Sequence, residues 1–151
     1  MNQIRRAKAT DAKAIQKLIN TFAAKDEMLP RALNSIYENI RDFHLIEEES
    51  GVVGCCALHV TWGDLAEIRS LAVDETTQGR GYGRLLVERC LDDARELGLP
   101  KVFALTYVPE FFERLGFSRI NKSELPHKIW SECINCPKFP DCGEEAVQLE
   151  L

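Results

Sequence analysis

A segment rich in glycine and arginine is the part of the sequence best suited to hold an anion. Residues 78–84 lie between an alternating apolar run that ends at Val73 and an amphipathic run that follows. Glycines at such a junction let the backbone approach a ligand closely, and the first amides of a helix attract negative charge. Arg80 and Arg84 add positive charge. This glycine loop predicts a pyrophosphate site, the alternative being a glycine-rich turn without a ligand.

Two common phosphate-binding motifs do not fit the spacing of these glycines. A P-loop ends in Gly-Lys-Ser/Thr, and no such ending follows. The dinucleotide fingerprint G-x-G-x-x-G does not match glycines at 79, 81 and 83, and the strand and helix alternation of a Rossmann fold is missing. What remains is Gln-x-x-Gly-x-Gly, formed by Gln78, Gly81 and Gly83 after a strand.

Glu67 lies on the apolar run that leads into the glycine loop. The alternation of residues 65–73 predicts a strand in which Glu67 shares one face with Leu65, Arg69, Leu71 and Val73. A carboxylate this close to an anion site is suited to act as a general base. A glutamate on a surface strand, with no role in chemistry, is the alternative.

Hydrophobic periodicity predicts the elements that position these residues. Thr10 is expected to cap a first helix, and Leu33, Ile36, Tyr37 and Ile40 form one apolar stripe of a second helix over about 31–41. The predicted order is a strand, two helices, three strands, a helix, a strand, a helix and final strands. This order predicts an α+β fold, with one strand–helix–strand crossover in a mixed, mostly antiparallel sheet flanked by helices. The remaining predicted segments are strands at 4–7, 43–62 (a hairpin), 65–73, 101–105, 117–120 and 146–151, and helices near 82–97 and 109–115.

Length and composition predict a single globular domain over residues 1–151. The chain is 45% hydrophobic and 28% charged, and its net charge of -5 argues against nucleic acid as the main partner. No run of about 18 apolar residues exists to cross a membrane, and the N-terminal segment lacks the apolar block of a secretory signal. We therefore expect a cytoplasmic protein. An unaccounted apolar strand edge is compatible with a homodimer.

The cysteines fall into two groups. Cys55, Cys56 and Cys90 lie inside apolar patterns, where cysteine usually acts as a small buried hydrophobe. The other three, Cys133, Cys136 and Cys142, lie in a loop at about 127–143 before the last strand. Their C-x2-C spacing suggests a zinc site, with His127 or a cysteine from elsewhere or from another chain as the fourth ligand. A redox-active or disulfide pair and simple packed thiols are the alternatives.

The sequence resembles the GNAT acyltransferase superfamily. The likeness rests on Gln78, Gly81 and Gly83 after "SLAV", on "FFERLGF" at 111–117, and on the element order from residue 4 to about 120. It implies the GNAT fold and acetyl-coenzyme A as donor. Backbone groups of Leu71, Ala72 and Val73 would bind the pantetheine arm, and the Leu71 or Ala72 amide would stabilise the oxyanion. The pyrophosphate would be held by Gln78, Gly79, Arg80, Gly81, Tyr82, Gly83 and Arg84.

A narrower resemblance is to the acetyltransferase domain of N-acetylglutamate synthases, which begin arginine biosynthesis. It rests on "IRRAKATDAKAI", "AEIRSLAV", "KVFALT" and "FFERLGF". It implies direct attack by the α-amine of L-glutamate in a ternary complex, with Glu67 as base and with Arg31 and Lys128 binding carboxylates. Another small amine or a peptide N-terminus remains open as acceptor, as does a non-catalytic module that binds coenzyme A.

One departure from the family pattern affects the general acid. Many GNAT enzymes protonate the leaving thiolate with a tyrosine four residues before the glycine of the terminal "GF", and here that position is Phe112. Phenylalanine has no proton to donate. Thr106, which matches a hydroxyl residue of the synthases, and the adjacent Tyr107 are the candidates that remain.

Overall fold

The computed structural model describes residues 3–25, 31–125 and 145–151. The strands in this part of the chain form one mixed sheet with the spatial order β1-β2-β3-β4-β5-β7-β6. Their bounds are β1 Gln3–Arg6, β2 Phe43–Glu48, β3 Gly51–Trp62, β4 Leu65–Val73, β5 Lys101–Thr106, β6 Ser118–Ile120 and β7 Glu145–Glu150.

Four α-helices within the described residues flank this sheet. The α3 helix follows β4 and returns the chain to β5, so β4 and β5 pair in parallel, whereas the other strand pairs are antiparallel. The predicted α+β fold with one crossover is therefore confirmed. The helices are α1 Ala12–Ala23, α2 Leu33–Glu38, α3 Tyr82–Glu96 and α4 Pro109–Glu113.

Each face of the sheet is covered by a different pair of helices, and each has its own apolar core. The α3 and α4 helices cover one face, where the buried side chains include Ala66, Ile68, Leu86, Val87, Leu91 and Val102. The α1 and α2 helices cover the other, where they include Ile15, Ile19, Phe22, Ile36, Leu45 and Ala57. Burial of each large apolar side chain contributes about 1.5–3 kcal/mol to the free energy of folding. No helix in the described residues is long and apolar enough to cross a membrane.

The first two helices differ from their predicted bounds. The α1 helix begins at Ala12 after a 3-10 turn, and no cap by Thr10 forms, because Asp11 turns its carboxylate back to the Lys8 amide at 2.7 Å. The second helix ends at Glu38, and a separate 3-10 turn follows at Ile40–Asp42. Tyr37 is 44% exposed, so its predicted place on the apolar stripe is wrong.

The predicted single face of β4 is also wrong beyond Arg69. Ser70 and Leu71 together oppose one residue of β3, and Ser70 has a positive φ of 57°, which marks a β-bulge. The extra residue reverses the alternation. Leu71 and Val73 consequently pack on the α3 face, whereas Glu67 and Arg69 belong to the opposite face.

The prediction that Cys55, Cys56 and Cys90 are buried is confirmed, since none of the three is exposed to solvent. Burial raises the pKa of the Cys55 thiol to about 12. That thiol donates to the Ser70 carbonyl at 3.3 Å, and Cys90 lies 3.7 Å from the Cys56 sulfur. All three thiols pack inside the apolar core, as the sequence pattern predicted.

Candidate active site

The bulged strand β4 separates from its parallel neighbour just above Glu67. Pairing of β4 with β5 runs from Leu65 opposite Lys101 to Ile68 opposite Ala104 and goes no further within the described residues. Residues 69–73 continue as a strand that pairs with β3 on the other side. Their edge toward β5 therefore faces a gap into which an extended ligand can add as a further strand. Leu71, Ala72 and Val73, predicted to bind the pantetheine arm, lie on this edge.

The glycine loop lies at the end of that edge and leads into α3. Gly79 and Gly81 have φ values of 87° and 80°, in the left-handed region that favours glycine. Gly81 is the N-cap of α3 and has no side chain to occupy the first-turn amides, which leaves that position to a ligand. Gln78 donates to the Val73 carbonyl at 3.1 Å and so ties the loop to β4. A Cβ on Gly83 would meet the Phe111 ring at 3.3 Å, so glycine permits this close packing.

Both arginines of the loop are paired with carboxylates. Arg80 Nη1 lies 2.9 Å from the Glu48 carboxylate, to which the Tyr82 hydroxyl also donates a hydrogen bond. Arg84 Nε lies 2.7 Å from Glu88. A bound pyrophosphate would therefore compete with these carboxylates for the guanidinium groups.

Glu67 and Arg69 form a buried ion pair on the face covered by α1 and α2. Arg69 Nε donates to Glu67 Oε1 at 2.6 Å, and Glu67 is 7% exposed. A charge this far from solvent requires a partner, and the guanidinium supplies it. A guanidinium beside a carboxylate favours the charged form of that carboxylate, which is the form that can accept a proton.

An open cleft of about 280 Å³ adjoins this ion pair. Arg31 lines it just before α2 begins, so the structure brings the predicted substrate-binding arginine onto the same face as Glu67. Arg69 supplies a second cation there. We call this space the acceptor cleft; its lining is Arg31, Ser35, Ile36, Asn39, Asp42, Phe43, Ala57, His59, Arg69 and Ser70.

His59 and Asp42 are cleft residues that the sequence did not indicate. His59 lies opposite Glu67 in the β3–β4 register, and its Nδ1 is 2.8 Å from Asp42. A hairpin counted without interruption from the Trp62–Leu65 pair would place Val60 opposite Glu67. An irregularity between Val60 and Trp62 shifts this register by one residue. The polar histidine within an apolar strand was the signal available.

The residues predicted as general acids lie at the end of β5. Thr106 is buried, and its hydroxyl accepts a hydrogen bond from the Val108 amide at 2.9 Å. Alternation from Ala104, which packs under α3, puts Thr106 on the face opposite Glu67. Tyr107 follows and is half-buried. Phe112 is 4% exposed and belongs to the apolar core.

Several predicted site residues lie outside the described residues. These are Lys128, the loop cysteines Cys133, Cys136 and Cys142, and His127. Among residues 3–25, 31–125 and 145–151, no group of three or more His, Cys, Asp or Glu side chains is arranged to hold a metal ion. The zinc site at the cysteine loop therefore stays a prediction, which metal analysis of anaerobically purified protein would test.

Comparison with known proteins assigns this arrangement to a family. The profile of the acetyltransferase (GNAT) family matches residues 11–117. An N-acetyltransferase of Chlorobaculum tepidum is 43% identical over 95% of this chain and 93% of its own length. An amino-acid acetyltransferase of Mycobacterium tuberculosis is 42% identical over 85% of this chain and 75% of its own.

A solved structure extends the similarity to the fold. N-acetylglutamate synthase from Neisseria gonorrhoeae, complexed with coenzyme A and N-acetyl-glutamate, superposes with a TM-score of 0.87 at 27% identity. The superposition covers 100% of this chain and 35% of the synthase. With its split β4–β5 pair, its glycine loop and a matching profile over more than half its length, the chain belongs to the GNAT family of acetyltransferases and is an N-acetyltransferase.

Proposed function

We propose that the protein transfers an acetyl group from acetyl-coenzyme A to the α-amine of an amino acid, and that this amino acid is L-glutamate. The observation that carries the proposal is the acceptor cleft, in which Arg31 and Arg69 line a space beside the buried carboxylate of Glu67. The amino-acid acetyltransferase of M. tuberculosis and the synthase structure with N-acetyl-glutamate support it.

The donor fits the gap between β4 and β5. The pantetheine arm would add to the edge formed by Leu71, Ala72 and Val73, and the pyrophosphate would bind the first-turn amides of α3. The left-handed backbone at Gly79 and Gly81 lets the chain close around the phosphates without a Cβ. Coenzyme A bound to the synthase supports this choice of donor.

The chemistry begins with loss of a proton from the acceptor's ammonium group, for which Glu67 is the base. The amine nitrogen attacks the thioester carbonyl, a C–N bond forms, and the C–S bond breaks to release the thiolate. The Leu71 or Ala72 amide stabilises the oxyanion of the addition step. Thr106 or Tyr107 supplies the proton that the thiolate takes up.

L-Glutamate is proposed as the acceptor because its two carboxylates match the two arginines of the acceptor cleft. Arginine binds a carboxylate through two parallel hydrogen bonds, and the acceptor cleft carries Arg31 and Arg69. Lys128 would add a third cation from the segment before β7. In this role the protein would catalyse the first step of arginine biosynthesis in the cytoplasm.

A panel of amino acids, assayed by thiol release from acetyl-coenzyme A, tests this function. We expect the highest kcat/KM with L-glutamate and at least a tenfold lower value with glutamine, which lacks the second charge. Arg31→Gln should lower kcat/KM for glutamate by a factor equivalent to about 2–3 kcal/mol of transition-state binding. The kcat/KM for alanine should fall less. No preference for glutamate over glutamine would contradict the choice of substrate.

A further inference from the structure

The acceptor cleft contains a second pair of proton-binding side chains next to the ion pair of Glu67. His59 Nδ1 lies 2.8 Å from the Asp42 carboxylate, with side-chain exposures of 28% and 26%. A carboxylate on Nδ1 fixes the orientation of the ring and directs Nε2 away from it. His59 lines the cleft, and with Nδ1 on Asp42 its second ring nitrogen, Nε2, is the one left to take part in a relay.

His59 is the cross-strand neighbour of Glu67. The two residues are register partners on β3 and β4, and side chains at directly opposed positions project to the same face, with Cβ atoms about 5 Å apart. The charged groups around His59 are therefore Asp42 from the 3-10 turn, Glu67 and Arg69 from β4, and Arg31 before α2.

Because Glu67 is buried, it needs a neighbouring group that can take its proton to solvent, and His59 is such a neighbour. A base that is 7% exposed and paired with Arg69 has to pass on each proton before the next turnover. The His59 side chain is 28% exposed against 10% for that of Glu67, and the two residues are adjacent across β3 and β4. An imidazole is the side chain that commonly serves as a proton shuttle.

We propose that His59 is a proton-relay residue, held in place by Asp42, that carries the acceptor's proton from Glu67 to solvent. The N–H proton of the ammonium passes to the Glu67 carboxylate and then to His59 Nε2. Asp42 stabilises the imidazolium, which releases the proton to water. The C–N and C–S bond changes are unaffected, and the thiolate is protonated by a separate acid. The relay rests on the proposed role of Glu67 as base.

His59→Gln removes the imidazole that would carry the proton. The kinetics of this variant with the best amine of the parent enzyme test the relay. We expect kcat to fall on the order of 100-fold, as is typical for loss of an acid–base group, with KM within about twofold. The solvent deuterium isotope effect on kcat should rise, and added imidazole should restore part of kcat. Asp42→Asn should lower kcat less and shift the acidic limb of the pH profile.

The matched control is Arg41→Gln, which should leave kcat unchanged. Arg41 is an exposed charged residue next to Asp42 and does not line the cleft. An unchanged kcat and isotope effect in His59→Gln would overturn the relay, and so would a rise in KM alone, which indicates substrate binding. If His59→Gln does not fold, Asp42→Asn with the isotope effect decides. Unchanged turnover in Glu67→Gln contradicts the base instead, and a best amine other than glutamate contradicts only the substrate.

Discussion

Arg69 Nε lies 2.6 Å from Glu67 Oε1, and both side chains are about nine-tenths buried, at 11% and 10% exposure. The strand alternation puts them two residues apart on one face of β4, immediately before the bulge at Ser70. The ion pair therefore joins two properties of the site: the charge state of the proposed base and the position of a cation in the acceptor cleft.

Arg69→Gln should destabilise the protein because it removes the guanidinium that pairs with the buried Glu67 carboxylate. Breaking a buried pair costs about 3 kcal/mol or more. Urea unfolding measures the change, and the double variant Glu67→Gln/Arg69→Gln should recover much of the loss because the buried carboxylate is neutralised together with its arginine. A double variant no more stable than Arg69→Gln would contradict this coupling.

Gly81→Ala should weaken donor binding and fold stability together. The residue has a φ of 80° in open space, so the added methyl is strained by the backbone conformation and not by a contact. The left-handed conformation costs about 1–2 kcal/mol for a residue other than glycine. We expect a KM for acetyl-coenzyme A raised about tenfold.

Gly63→Ala is the control for that substitution, since Gly63 lies in an open turn whose φ is outside the left-handed region. An equal rise in KM for both variants would show that the conformation of Gly81 is not the cause.

Glu48→Gln should strengthen donor binding because it releases Arg80 from a competing carboxylate. Arg80 and Tyr82 both contact Glu48. Exposed pairs are weak, so we expect the Kd of coenzyme A to fall by at most about fivefold by calorimetry. Glu113→Gln, which loses an exposed pair with Arg119, should leave this Kd unchanged. A weaker Kd in Glu48→Gln would show instead that Glu48 positions Arg80 for the ligand.

His44 should make the protein less stable below neutral pH. Burial lowers the pKa of His44, although its hydrogen bond to Asp93 at 2.6 Å opposes the shift. The unfolded chain therefore binds the proton more readily, and the free energy of unfolding falls as pH drops below about 6.5, the ordinary histidine value.

The slope attributable to this one group is at most about 1.4 kcal/mol per pH unit. In urea unfolding between pH 7.5 and 5.5, the free energy of unfolding should decrease less steeply for His44→Gln than for the parent. This comparison of slopes holds whatever the difference in stability between the two proteins at pH 7.5. Equal slopes would contradict the role of His44.

Local spacing was sufficient to predict the glycine loop and the strand and helix on either side of it. The glycine loop, the strand that carries Glu67 and the helix that follows are short-range patterns, and each appears in the structure where the pattern placed it. Glycine at 79 and 81 is required by the backbone conformation at those residues, so it can be recognised without knowing what lies nearby.

The acceptor cleft depended on long-range pairing that no local pattern contains. Two irregularities of the β3–β4 register place His59 opposite Glu67 and turn Leu71 away from it, and each reverses the alternation from which the strand faces were predicted. Arg80 likewise meets Glu48 across 32 positions of sequence. Residue types and spacing thus determined the family and the glycine loop and singled out Glu67 as the candidate base. The tertiary structure decided which side chains surround Glu67, because a one-residue shift in strand pairing changes every neighbour.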